Sequence, residues 1–502
     1  MTMKTKRFAA LAVALAMVIA FAGCGADVPS VPSSTGNPAA SASPRPDAAS
    51  AIRDNLDGKT LNEFTVEAAL DPSSYTVSVK QELKYVNNTG TELSGIYFNL
   101  IPNAFAADGG GIDLSSVSAG GRQAAMTQVN GTVYSLALPE PLAAGSDTVL
   151  SFDYTVRIPN IENRFGWQEG IINAGNFLIT PCVYENGGWV VEPYVDIGDA
   201  FYTDMADYNV TVSAPEGWTI TSAGSMGNDG AYHGRMRDYV FSASDGFETL
   251  SDTVDGVDVT VYYRDGMSLT AQRALETSVN SLALYDRILG QYPYDTLSVV
   301  LSGLTSGVSG TEYPTLVMVG PEMSLEEISQ PGFSTDAEYN GYCWQFDRTV
   351  THEVAHQWFY GVVGNDQIRY PWLDEGFCRF AELLYMEAYP PDEPLADWQY
   401  DISEFFQSEY DLLTGKIEGI SVDMTLDLYE WAETEPADYG LMYDKCASLW
   451  YMLRETLGAE EFNAALREYV DEFAYGFVTP DAFKAFWSGR GDVDELLALY
   501  GV

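Results

Sequence analysis

His352-Glu353-Val354-Ala355-His356, followed after eighteen intervening residues by Glu375 within Trp372-Leu373-Asp374-Glu375-Gly376-Phe377, is the stretch that decides how this chain is read. Residues four apart on a helix share one face about a turn apart, so two imidazoles placed this way can point at one ion. Two ring nitrogens and one carboxylate oxygen make a three-ligand zinc site with a fourth position open to water. Glu353, beside the first histidine, can take a proton from that water. The chain has only three histidines, and two of them stand here.

Helical patterning continues on both sides of the motif. A helix is expected over Tyr342–Tyr360, a second over Asp374–Met386 with Glu375 at its start, and a third over about Tyr443–Leu457, stopped by Gly458. Glu460–Phe473 and Thr479–Trp487 follow, the latter with Thr479 as cap and Pro480 in the first helical position. Leu269–Leu289 has apolar residues at helical spacing and ends at Gly290, while Leu297–Leu301 and Thr315–Val319 read as short strands. Upstream the texture is β. Tyr75, Val77, Val79, Gln81, Leu83 and Tyr85 alternate with mostly polar neighbours, and Tyr208–Ser213 alternates again before Pro215. The expected fold class is α+β and multi-domain, with an antiparallel β-sandwich or saddle over 56–255 and a zincin domain of small mixed sheet plus helices over 256–502.

The formal net charge is −47, from 72 acidic and 25 basic side chains, which repels phosphate backbones and argues against nucleic-acid partners. Hydrophobic content of 46% argues against bulk disorder. At the amino terminus, Lys4, Lys6 and Arg7 precede an apolar run from Phe8 to Ala22 that ends in Gly23-Cys24, the pattern of a secretory signal. Phe21-Ala22-Gly23-Cys24 resembles a bacterial lipoprotein cleavage site. We therefore expect a signal peptide over 1–24, a lipidated Cys24 held in the bilayer, and a Pro/Ser/Ala-rich tether over 25–55. The expected location is the outer face of a bacterial cell membrane. Cys182, Cys343, Cys378 and Cys446 show no framework spacing, so no disulfide pairing is assigned.

From the zinc helix through Phe359, the Trp372–Phe377 segment and Tyr443-Asp444-Lys445-Cys446-Ala447, the chain resembles the aminopeptidase N-like family of zinc metallopeptidases (gluzincins), which includes the leukotriene hydrolase branch. The likeness covers roughly residues 60 to 490. It implies a thermolysin-like catalytic domain, one zinc ion held by His352, His356 and Glu375, and Glu353 as general base acting on peptide substrates. It also implies that Tyr443 donates to the oxyanion, with Tyr439 as the fallback donor. Glu382, two helical turns after Glu375, would hold a zinc-bound imidazole by its other nitrogen. Ser309-Gly310-Thr311-Glu312-Tyr313 stands where the family has Gly-x-Met-Glu-Asn, so Glu312 would pair with the peptide's free amino group. Backbone groups beside it, Gly310 among them, would pair with an extended substrate. Asp374 replaces the usual asparagine and Cys446 the usual glycine.

The chain stops at Val502, where larger relatives continue into a helical domain, so an open or dimer-covered site that accepts longer peptides is expected. A homo-oligomer, endopeptidase action, epoxide hydrolysis and a non-catalytic zinc-stabilised binding domain stay open as alternatives to an exported aminopeptidase.

Overall fold

Alternation builds the first half of the structure, a computed structural model that describes residues 52–502 except 54, 57, 305–307, 322, 333 and 391–401. The expected signal peptide, Cys24 and most of the tether lie outside the described residues. Asn62–Asp71 buries Phe64, Val66, Ala68 and Leu70 and exposes the residues between them, as a strand with one wet face must. It lies inside an eight-stranded sheet, antiparallel to Thr76–Val86 and parallel to Ala206–Ser213. The other neighbours in this sheet pair antiparallel, as expected, and this one pair is parallel. Between Asp71 and Ala206 the chain is long enough to return to the same end, which a tight hairpin cannot do. Two four-stranded sheets close the sandwich, and Ile96, Phe98, Leu136, Ile172 and Phe241 from them share one core with Phe64, Val79 and Phe152.

The second half opens with a five-stranded sheet in the order Glu248–Val254, Val257–Tyr263, Thr296–Leu301, Leu316–Val319, Gly310–Tyr313. Its first two strands are joined by Asp255-Gly256, both at positive φ (50° and 93°), a two-residue turn that suits the strand twist. The boundary expected between 255 and 256 therefore falls inside a hairpin, and this sheet starts at Glu248. The helix Ser268–Leu289 makes the crossover to the parallel strand Thr296–Leu301. Among the described residues Gly310–Tyr313 is the edge strand, paired on one side only, to Leu316–Val319.

Thr335 and Glu338 form a capping box that starts the helix Asp336–Ala355. The expectation of a helix over Tyr342–Tyr360 is corrected at both ends. The helix stops before His356 because the chain turns there, with Tyr360 held at φ 107°. This helix packs on Ser268–Leu289, where the Tyr285 hydroxyl lies 2.6 Å from Thr351 Oγ1 and donates to Ala381 O at 3.0 Å. Trp358 donates its indole N–H to Gly290 O at 2.9 Å, fixing the turn after the helix. Helices Trp372–Ala388 and Pro436–Leu457 complete this core around Phe359, Phe377 and Trp450. Cys182, Cys343, Cys378 and Cys446 are all buried and free. Among the described residues no helix is long and apolar enough to cross a membrane.

One ion cluster away from the motif has a measurable consequence. Glu192 lies 3.7 Å from Arg369, yet burial, then repulsion from Asp366, push its carboxyl up to about 7. Because the folded value lies above the ordinary 4.5, the protonated form is the one that folding favours. Its contribution is complete below pH 4.5 and is lost as pH rises through about 7. Glu192→Gln is expected to remove that loss, so the variant gains about 1–2 kcal/mol on the wild type between pH 4.5 and 8, after discounting for the side chain's 28% exposure. Urea unfolding at both pH values checks this; equal differences at the two would refute it.

Candidate active site

The helix Asp336–Ala355 presents His352 in its last turn, and His356, just past its end, keeps helical dihedrals (φ −61°, ψ −15°). The i, i+4 relation survives the helix end. Glu375 enters from the first turn of Trp372–Ala388. The three meet. His352 Nε2 lies 3.2 Å from His356 Nε2 and 3.1 Å from Glu375 Oε2, and the third edge, His356 Nε2 to Glu375 Oε2, is 3.5 Å. A tetrahedral ion with bonds of about 2.1 Å places neighbouring ligand atoms about 3.4 Å apart. The triangle therefore has the size a zinc ion requires.

The rear nitrogens are also engaged. His352 Nδ1 lies 3.1 Å from Glu382 Oε1, and His356 Nδ1 lies 3.0 Å from Phe359 O. Such partners set ring orientation and tautomer in metal sites. Burial disfavours the charge on His352, but its hydrogen bonds to Glu375 and Glu382 outweigh this and raise its pKa to about 10. Burial likewise works against the Glu375 carboxylate, yet its bonds to both histidines hold it well below the usual range. An entering cation must therefore displace protons, and its affinity rises with pH.

Glu353 is 5% exposed and faces the same cavity, of about 1010 Å³. Burial raises its pKa, against the pull of His352 and His356. Gly310 explains how the edge strand passes so close: a Cβ there would stand 2.0 Å from Glu353 Oε1.

Residues 273–498 match the description "Peptidase family M1 domain". Over these residues the chain is similar to the catalytic domain of peptidase family M1. Aminopeptidase M1-C of Oryza sativa subsp. japonica is 29% identical over 228 residues, which are 44% of this chain and 24% of that protein. Endoplasmic reticulum aminopeptidase 1 of Homo sapiens is 27% identical over 232 residues, 46% of this chain and 23% of its own length. The chain thus spans about a quarter of the length of these curated relatives. A solved M1 zinc metallopeptidase from Deinococcus radiodurans superposes with a TM-score of 0.61 at 19% identity, covering 88% of this chain and 93% of that one. A mutant of the same protein bound to a Tyr-Ser-Ala substrate gives 0.60 at 18% identity, with the same coverage. These two establish a shared fold.

In this chain Glu312 is a buried residue of the edge strand, 2% exposed. Gln367 donates one amide nitrogen to both Glu312 Oε1 (3.0 Å) and Asp374 Oδ2 (2.9 Å). A carboxylate oxygen of Glu312 lies within 4.8 Å of a ring nitrogen of His356. Burial, then the charge of Asp199, raise the Glu312 pKa strongly. Tyr443, in the middle of Pro436–Leu457, donates to Glu375 Oε1 at 2.8 Å, and Tyr439 packs edge-on against it and also lines the cavity.

Several residues of the site had no signal in the sequence. Arg164 and Asp199 form a largely buried pair in the cavity wall. Gln357 bolts the ligand helix to the edge strand, donating to Tyr313 O (2.9 Å) and accepting from Thr315 N (2.8 Å). Arg237 and Asp238 brace the turn at Tyr360, whose hydroxyl donates to Asp238 Oδ2 at 2.6 Å. No spacing rule reaches these residues, because each acts on a segment distant in the chain.

Proposed function

We propose that this protein is a zinc aminopeptidase that removes amino-terminal residues from peptides, with one ion held by His352, His356 and Glu375. The observation that carries the reading is the ligand triangle of 3.1, 3.2 and 3.5 Å with the non-ligand carboxylate of Glu353 beside it. A bound zinc ion supplies Lewis-acid polarisation of a water and of the scissile carbonyl. Glu353 takes the water's proton on a carboxylate oxygen and returns it to the departing amine, a task matched by its raised pKa. Tyr443, whose O–H points at the ligand set, donates to the oxygen that gains charge. Glu312 receives the substrate's ammonium; placing one charge there offsets a pocket crowded by Glu312, Glu353, Glu375 and Asp199. The edge strand offers backbone groups to an extended peptide. Glu312 sits buried at the Gly310 strand, so an amino terminus is read more readily than a chain passing through, which favours exopeptidase over endopeptidase action.

Aminoacyl-anilide hydrolysis by the purified protein is expected, with loss of turnover on chelation and recovery on adding zinc. Cleavage of amino-blocked peptides alone would overturn the assignment. From the basic start, the apolar run and Cys24, we further infer an exported, lipid-held enzyme. Mass analysis of the mature amino terminus decides that point.

A further inference from the structure

The cavity is lined by Glu312 beside His356 and, farther along the ligand helix, by two arginines. Glu312, the amine anchor of the proposed function, lies beside His356. Arg348 stands four residues before His352 and eight before His356, so all three share one face. At about 1.5 Å per residue, Arg348 is about 12 Å along the axis from His356. Arg379, on the neighbouring helix, lines the same end.

These two arginines meet two carboxylates, and the geometry separates the partners. Arg348 donates Nε to Glu382 Oε2 at 2.6 Å, while its guanidinium lies 4.6 Å from the Trp344 ring centre. Arg379 binds Asp444 through Nε at 2.9 Å and also contacts Glu382. Glu382 is turned inward, with its other oxygen on His352 and its side chain 5% exposed, against 17% for Arg348. Among the described residues, Nη1 and Nη2 of Arg348 make no hydrogen bond. The guanidinium, centred 4.6 Å over the Trp344 ring, thus keeps its two outer nitrogens available on a residue that lines the cavity. Those two nitrogens match a carboxylate in bidentate geometry.

The geometry points to a peptide carboxylate as the occupant of the Arg348 end. The substrate class is then short peptides with a free carboxyl terminus. An extended chain advances about 3.3–3.6 Å per residue, so three or four residues span the roughly 10–14 Å from the Glu312 end to the arginines. The inference rests on the aminopeptidase reading, because Glu312 must hold the amino end for the carboxylate to fall there. Longer peptides carry their carboxylate past Arg348 and gain nothing from it. This narrows the sequence-based expectation of a site suited to long peptides.

The test compares alanine peptides of three, four and eight residues, each as free acid and as carboxyl-terminal amide, on the full zinc-loaded protein. For three and four residues, kcat/KM is expected to favour the acid by about tenfold or more, the scale of one charge-assisted pair. For eight residues the ratio is expected to be near one. In Arg348→Gln the short-peptide ratio is expected to fall toward one, mainly through KM, and Arg348→Lys should keep part of it. A ratio near one in the wild type at three and four residues overturns the proposal without needing any variant. An undiminished ratio in Arg348→Gln, with both substrates slowed equally, also overturns it and leaves Arg348 as a positioning partner of Glu382. If neither acid nor amide is cleaved at any length, the aminopeptidase reading falls first and takes this inference with it.

Discussion

Glu353→Gln is expected to lower kcat on an aminoacyl anilide by about 10²–10⁴-fold, the usual worth of a positioned general base, while the protein keeps its zinc. The two outcomes separate because Glu353 lies beside the ligand triangle and is no part of it. Glutamine has nearly the same shape and satisfies the same space under Gly310, but its amide cannot accept a proton from water. Burial outweighs the attraction of His352 and His356 for the charge on Glu353, so the neutral variant gives up less on folding than it gains. Its melting temperature is therefore expected to match or exceed that of the wild type at neutral pH and above. Elemental analysis, kinetics and a thermal melt on one preparation check all three. Activity within tenfold of wild type, at full zinc content, would show that another group takes the proton.

The second large effect concerns a residue outside any motif. Arg237→Ala is expected to destabilise the protein by about 3–5 kcal/mol, the cost of removing one partner from a buried charged cluster. Arg237 is 2% exposed and donates to Tyr360 O at 3.0 Å and to Thr203 O at 3.2 Å. It also bonds Gly476 O, and its guanidinium lies 4.6 Å from the centre of the Phe477 ring. Buried Asp238 stands near it and would lose its compensating charge. One side chain therefore ties the β half, the turn after the ligand helix and the carboxyl-terminal helices. Tyr360 is held at φ 107°, a conformation that a tyrosine adopts only when its surroundings impose it. Releasing it would loosen Phe359, whose carbonyl holds His356. Zinc affinity should fall together with stability. Urea unfolding with and without zinc measures both; a loss under about 1 kcal/mol would refute the role given to this arginine.

Much of the site was readable because metal ligation imposes local spacing. His352 and His356 need one helical face, and Glu375 needs one turn of a neighbouring helix, so the pattern survives in one dimension. Alternation likewise marked Thr76–Val86 and Ala206–Ser213 as strands. The misplaced elements have separate causes. The ligand helix ends at Ala355 rather than Tyr360 because Arg237 and Asp238, more than a hundred residues earlier, bend the chain there. The hairpin across residue 255 was divided because its strands read as belonging to two textures.

What the amino-acid sequence determined alone was the grouping of His352, His356 and Glu375, the carboxylate of Glu353 beside them and the alternating or helical character of each segment, since these follow from spacing of 2 and 3.6 residues. Tertiary structure alone decided that Glu312 is buried beside His356, that Gly310 yields its space to Glu353, and that Arg348 lines the cavity. Those facts depend on which surfaces are pressed together, and the buried polar groups at such contacts, such as Gln357 against Tyr313, hold the surfaces in one register.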